Sequence, residues 1–321
     1  MVADAFFQSI LSESGFHINK KTIFAQIFVQ MKKVYKVAGH KFSIVMPDDY
    51  PAWNEMQNYE PFLTDDADGC IFAAELIENM PDTSSKQLVV IGNKHVDMPR
   101  SELYEWNGKW LMEVAPTLEA PIRLYMITDK SFSKVQFRVL GCIRFSVTTM
   151  LMMMFSFSTA SMDTLLIHAS VTMNGGKGYL FLGKSGTGKS THSQLWIKNI
   201  EGCELLNDDN PALRVCDDGV VRVYGTPWSG KTPCYRNLDV PVGAIVDLHQ
   251  AKKNVIKQQS LSEAYASIYV SFSGYRFIKN MADGYHATNA KIVSSVPCYS
   301  LDCLPNPEAA FLCYDTVTGK R

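Results

Sequence analysis

The chain has 321 residues, enough for one large or two modest domains with real apolar cores. Its hydrophobic fraction of 46% and charged fraction of 20% are those of an ordinary soluble protein. A formal net charge of −1 offers no electrostatic footprint for nucleic acid or an anionic membrane, and leaves small anions to be bound by local geometry.

Residues 1–30 sit apart from the rest of the chain, and a fresh start is visible at Met31; the expectation is a peripheral helix or an extension from an upstream start codon. From 31 to 136 the pattern is that of a β-rich accessory or substrate domain. Short apolar or alternating runs at 41–46, 69–72, 87–91, 109–114 and 122–127 are separated by turn formers. Residues 137–321 form the second expected domain. It opens with a long apolar helix over 137–158, whose methionine- and phenylalanine-rich stretch 147–157 is too short to span a membrane. Buried strands are expected at 164–168 and 178–182, joined by an Asn174-Gly-Gly-Lys177 hairpin turn. A helix is expected over 190–200, a strand over 242–248, and another helix from the capping box Ser260-Leu-Ser-Glu263. The eight cysteines are scattered without a CxxC pair, and no secretory signal is visible. Reduced thiols and a cytoplasmic location are the resulting expectations.

The strongest local signal is Gly183-Lys-Ser-Gly-Thr-Gly-Lys189-Ser190, which satisfies G-x-x-x-x-G-K-[ST] at every fixed position. An apolar strand precedes it and a helix-compatible run comes after it. Gly183, Gly186 and Gly188 let the backbone approach phosphates, and with Ser185, Thr187 and Thr191 they build a concave anion site on a helix N-terminus. Lys189 supplies a point charge to the terminal phosphates, and the Ser190 hydroxyl is a Mg²⁺ ligand. Lys184 is expected to face solvent. The ligand implied is a nucleoside triphosphate, ATP with Mg²⁺.

Triphosphate chemistry needs carboxylates, and Asp208 and Asp209 come after a short apolar run, 19 and 20 residues beyond Lys189. One faces the metal and the other serves as base for an attacking hydroxyl. Adjacent strand residues point to opposite sides, so both reach the site only if the strand has just ended. His168 taken alone reads as a satisfied core histidine; in a hairpin feeding the loop, its ring can reach the γ-phosphate, the metal or an acidic partner. Tyr224-Gly-Thr-Pro-Trp-Ser-Gly-Lys231 is a second glycine-bearing loop. Lys231 is a candidate to neutralise charge on the transferred group, and Trp228 to stack on a base or wall off the pocket, against the bland reading of a tight turn with a packed tryptophan. Arg236 and Asn237 are weaker candidates for the same pocket. His192 lies behind the loop, and His17, His40, His95, His249 and His286 belong to no constellation.

Residues 160–250, through His168, the loop Ser185-Gly-Thr-Gly-Lys-Ser190 and Asn207-Asp-Asp209, resemble the kinase domain of HPr kinase/phosphorylase and the ATP-dependent phosphoenolpyruvate carboxykinases. Thr191-His-Ser193 after the loop is similar to the carboxykinase version. The resemblance implies a mixed α/β fold with a P-loop site on a twisted mixed sheet, ATP, Mg²⁺ and phosphoryl transfer. It makes Asp208 the base and Asp209, with Ser190, the metal ligand. The glycine-, arginine- and glutamate-rich signature of HPr kinases is missing, and Gly225-Thr-Pro-Trp-Ser-Gly-Lys231 stands in its region. Oxaloacetate-binding arginines have no counterpart, so neither HPr nor oxaloacetate carries across as substrate. The chain is also similar to bacterial HPr-kinase-like proteins that carry this loop, whose relatives include kinases acting on serine in peptides.

The leading expectation is therefore a phosphotransferase acting on a hydroxyl, such as a serine of a protein or peptide. A small-molecule kinase and a nucleotide-binding module with little turnover are the alternatives. The nucleotide and an acceptor are the expected partners, with no nucleic acid and no membrane; the acceptor's identity and assembly into a homo-oligomer are left open.

Overall fold

A computed structural model describes residues 29–92, 99–230 and 232–320. The expected element over 1–30 falls almost wholly outside them. The described residues form a mixed α/β structure with two mixed sheets and few helices.

The first sheet has eight strands: β1 (Gln30–Val37), β2 (His40–Pro47), β3 (Cys70–Leu76), β4 (Gln87–Gly92), β5 (Arg100–Trp106), β6 (Lys109–Ala115), β7 (Leu124–Thr128) and β8 (Lys134–Val139). Their order is β1-β2-β3-β8-β7-β6-β5-β4, with β2–β3 and β3–β8 parallel and the rest antiparallel. Two 3-10 turns, Pro51–Glu55 and Gln57–Phe62, cross between β2 and β3 and bury Ala52, Tyr59 and Phe62. The five short runs legible in the sequence correspond to β2, β3, β4, β6 and β7.

Helix α1 (Ile143–Ser158) starts later than the apolar pattern suggested. Residues 134–137 alternate exposed and buried, a period of two, so they are drawn into β8. Positive φ at Gly141 (125°) and Cys142 (48°) then breaks the strand before the helix begins. Val147, Met150, Leu151, Met154 and Phe155 of α1 are all buried in one core that runs without interruption from the first sheet to the second. Among the described residues no helix is long and apolar enough to cross a membrane.

The second sheet contains β9 (Thr164–Leu166), β10 (Ala169–Asn174), β11 (Lys177–Leu182), β12 (Glu204–Asp209), β13 (Ala212–Val215), β14 (Val221–Tyr224), β15 (Asp239–Gln250), β16 (Val255–Gln258) and β17 (Cys298–Cys303). Its main path is β12-β10-β11-β15-β14-β13-β9, and β17 lies parallel to β15 on the other side. The Asn174–Lys177 turn forms as expected, but its first strand is β10 rather than 164–168. At His168 the chain changes partners: β9 pairs with β13, whereas β10 pairs with β11 and β12. Helices α2 (Lys189–Asn199), α3 (Leu261–Ser271), α4 (Lys279–Ser295) and α5 (Pro307–Thr318) complete the chain. Ser260 and Glu263 cap α3 reciprocally, as their spacing predicts.

Polar contacts stitch the two sheets together. The His40 ring nitrogen Nε2 donates to Thr164 Oγ1 (2.9 Å), whose own hydroxyl donates to the Met162 carbonyl. Arg214 donates to the carbonyl of Ala38 (2.8 Å). Burial, reinforced by the Arg214 charge, lowers the His40 pKa to about 4, and burial alone does the same for His192. Both rings bind protons more readily in the unfolded chain, near 6.5. Their contribution is therefore intact above pH ~6.5, declines as pH falls, and is lost once the pH passes the folded value near 4. Each adds a slope of up to about 1.4 kcal/mol per pH unit within that window. Urea unfolding of the wild type and of His40→Gln between pH 7.5 and 4 should differ by about one proton in slope. Equal slopes would remove His40 from the account.

Candidate phosphate-binding and acid-pair site

The loop 183–188 leaves the end of β11 and enters α2. Gly183 sits at φ 139°, and a Cβ there would come within 3.2 Å of the Leu248 carbonyl; Gly188, at φ 106°, turns the chain into the helix. The carbonyls of Gly183, Lys184 and Gly186 are occupied from inside the protein. Lys189 Nζ donates to those of Gly183 (3.0 Å) and Lys184 (3.4 Å), and Thr187 Oγ1 donates to that of Lys184 (2.7 Å). Gln250 Nε2 reaches the carbonyl of Gly186 at 3.1 Å. By contrast, the amides of Ser185, Gly186 and Gly188 have no acceptor among the described residues. Acceptors consumed and donors free is the signature of an anion cradle, and the first turn of α2 adds its positive end. Lys184 is exposed, as expected.

Lys189 is buried, and burial lowers its pKa while Asp209 and Asp208 pull it back up. Asp208 Oδ1 accepts from the Ser190 hydroxyl at 2.9 Å. His168 Nε2 lies 3.4 Å from Asp209 Oδ1 on the other side of the pair. Burial, with the Lys189 charge adding to it and Asp208 opposing, lowers the His168 pKa to about 4, so the ring is neutral at neutral pH. The contact with Asp209 is thus a polar one and not an ion pair.

Both aspartates belong to β12, where alternation would send them to opposite faces. Both nevertheless reach one cavity, where β12 ends: Asp209 is its last residue, and its φ of 155° lies where L-residues rarely sit. Such a conformation costs on the order of 1–3 kcal/mol and persists only where the surroundings over-determine it. Here the chain is held on two sides: Asp209 pairs with Ala169 of β10 and bridges to Ser229. His168, Ser185, Gly186, Gly188, Lys189, Ser190, Thr191, Asp208 and Asp209 consequently line one cavity of about 420 Å³, with Gly230. Gly183 and Thr187 face an adjoining cavity of about 750 Å³.

Other expected residues lie elsewhere. Trp228 is buried between Phe42, Tyr59 and Phe155, so it neither stacks on a ligand nor walls the pocket. An apolar ring gains more from the closed core between the sheets than from a wet cleft. Arg236 pairs with Glu204 (2.8 Å) and with the Leu205 carbonyl (2.8 Å), and Asn237 donates to the Pro61 carbonyl (3.0 Å). Neither reaches the cavity. Lys231 lies outside the described residues. His192 is buried and accepts from Trp196 Nε1 (3.1 Å), a core role.

Sequence reasoning passed over Asp247, His249 and Gln250, which wall the larger cavity. They come at the end of an apolar run in β15, and β15 runs parallel to β11 in the next sheet position. Polar residues at the carboxyl ends of adjacent parallel strands are where ligands gather, but the strand neighbourhood is not visible in one dimension.

The Ser190 hydroxyl and the Asp209 carboxylate are hard oxygen donors of the kind Mg²⁺ accepts, and water would complete the shell. Burial holds the Asp209 carboxyl up at about 6; the Asp208 charge adds to this and Lys189 opposes it. A raised acid beside a like charge is what a divalent cation would relieve. The ionised form binds the cation, so Mn²⁺ affinity measured by calorimetry should be level above pH ~7 and fall about tenfold per unit below ~6. Affinity independent of pH from 5 to 8 would contradict this assignment.

No family model matches this sequence, and a search of curated proteins finds no match. Among solved structures, the HPr(Ser) kinase/phosphatase from Coxiella burnetii matches with a TM-score of 0.32 and 14% identity, over 49% of this chain and 90% of that one. A likeness of that size transfers no residue role.

Proposed function

We propose that this protein is an ATP- and Mg²⁺-dependent phosphotransferase that moves the γ-phosphoryl group to a hydroxyl, on a P-loop domain of the HPr kinase and phosphoenolpyruvate carboxykinase type. One observation carries the reading. A loop with free amides and a buried lysine abuts a carboxylate pair, one member of which accepts a hydrogen bond from the Ser190 hydroxyl at 2.9 Å. Phosphoryl transfer asks mainly for positioning and charge neutralisation, and these are the groups that supply both.

In this reading the cradle amides and Lys189 hold the polyphosphate, and Ser190 with Asp209 holds the cation, which offsets charge on the phosphate oxygens. The nucleoside lies beside Thr191 and Leu195 in a third cavity of about 500 Å³, whose walls include Leu248, Leu304 and Pro305. The acceptor enters from the larger cavity, which shares His168, Ser185 and Gly186 with the acid site. Its hydroxyl oxygen forms the new bond to the γ-phosphorus as the bond to the bridging oxygen breaks and ADP leaves. The hydroxyl proton passes to Asp208. His168, neutral, orients Asp209.

Lys189→Ala should abolish ATP binding. Asp208→Asn should keep it and lower transfer by about a hundredfold or more. Incubation with γ-labelled ATP and host lysate should place label on a polypeptide; label on a low-mass metabolite would redirect the reading to a small-molecule kinase. ATP held without any labelled product, and without a change in turnover for Asp208→Asn, would replace the enzyme with a nucleotide-binding module.

A further inference from the structure

The loop 225–230 joins two things that are far apart in sequence. At one end its backbone and hydroxyls bracket the acid pair. Gly230 N–H donates to the Asp208 carbonyl (2.6 Å), and Asn210 N–H donates to the Trp228 carbonyl (3.1 Å). Thr226 Oγ1 donates to the Asn210 carbonyl (2.7 Å), and Asn207 Nδ2 donates to Thr226 Oγ1 (3.2 Å). Ser229 completes the bracket through its bridge to Asp209. At the other end the same loop is bolted to the first sheet. Trp228 Nε1 donates to the Tyr59 hydroxyl (2.9 Å), and Asn58 Nδ2 donates to the Pro227 carbonyl (2.8 Å). Tyr59, Trp228 and Asn58 are all buried.

We propose that Tyr59, on the 3-10 turn of the first sheet, is a positioning residue for the Asp208–Asp209 pair and acts through Trp228, so that the acid site is complete only with the first sheet docked. The claim rests on the phosphotransferase reading for its catalytic consequence but not for its geometry. Asp209 keeps its unusual backbone only while neighbours hold it. The neighbours on one side belong to β10 of its own sheet, and those on the other belong to this loop. If the loop slackens, Asp209 is free to return to ordinary strand geometry, where alternation carries its carboxylate away from the face that Asp208 occupies. The anchor suits the task. Trp228 donates one hydrogen bond and Tyr59 accepts it, Thr148 of α1 also engages the Tyr59 hydroxyl, and the rings of Phe42 and Phe155 pack against Trp228 in the core. A buried polar pair of this kind selects a single loop placement rather than an ensemble.

The test uses the full chain. Tyr59→Phe deletes only the hydroxyl shared by Trp228 and Thr148, and Asn58→Ala removes the second bolt independently. Ser158→Ala, which loses a buried bond to the Phe132 carbonyl in the same core, is the control for a merely structural loss. Hydrogen exchange in nucleotide-free protein should be faster at the Asn210 and Gly230 amides in Tyr59→Phe and Asn58→Ala, and unchanged there in Ser158→Ala at a similar loss of melting temperature. With Mg-ATP, kcat should fall roughly tenfold to a hundredfold in the first two while KM for ATP moves less than about threefold. Exchange at both amides unchanged in Tyr59→Phe and Asn58→Ala overturns the proposal, whatever the kinetics. Exchange that accelerates while kcat holds also overturns it, since the bracket would then not set the acids. Wild-type protein that neither binds nor turns over ATP defeats the phosphotransferase reading instead, and the exchange arm still decides the coupling.

Discussion

The site depends on one backbone constraint, the unusual φ of Asp209 at the last position of β12. Without it, β12 would present one carboxylate to the glycine loop and the other to the opposite face. With it, two acids, a hydroxyl, an ammonium and a neutral imidazole share a cavity of about 420 Å³. The strain is small beside a domain's gross energetics but comparable with a fair part of its net stability, so it must be offset locally. The paired backbone of β10 and the bracket of loop 225–230 supply that offset.

The same arrangement explains the electrostatics. Burying two like carboxylates raises the pKa of Asp209, and burying Lys189 lowers its own, because each charged form is desolvated. Mutual attraction compensates only in part. A phosphate chain and a divalent cation would complete both halves at once, giving the lysine and the amides an anion and the acids a cation. His168 stays neutral between them because burial and Lys189 outweigh the attraction of Asp208.

The first sheet is not a bystander in this design. Its 3-10 turn reaches the loop that brackets the acids, and the core shared with α1 makes the two sheets a continuous hydrophobic body. Two polar seams, His40 with Thr164 and Arg214 with the Ala38 carbonyl, add directionality to a contact that apolar packing alone would leave loosely specified.

Much of the site was legible because it is local. The glycine loop, its lysine and serine, the hairpin turn at 174–177 and the Ser260–Glu263 cap each depend on residues within a few positions of one another, and their chemistry comes from residue type and spacing. The acid pair was legible as a pair, though not the backbone turn that lets both members face inward. Other features needed the third dimension. The 164–168 strand belongs to a different partner from the one its sequence position suggests, and residues 137–139 belong to a strand inside the first sheet rather than to a helix. Asp247 and Gln250 became neighbours of the loop only through β11–β15 pairing. Trp228 makes the division plain. Its sequence marks a glycine-flanked turn, but only the docking of two sheets decides that its ring belongs to the core, because burial is set by what packs against a residue and not by the residue's own neighbours in the chain.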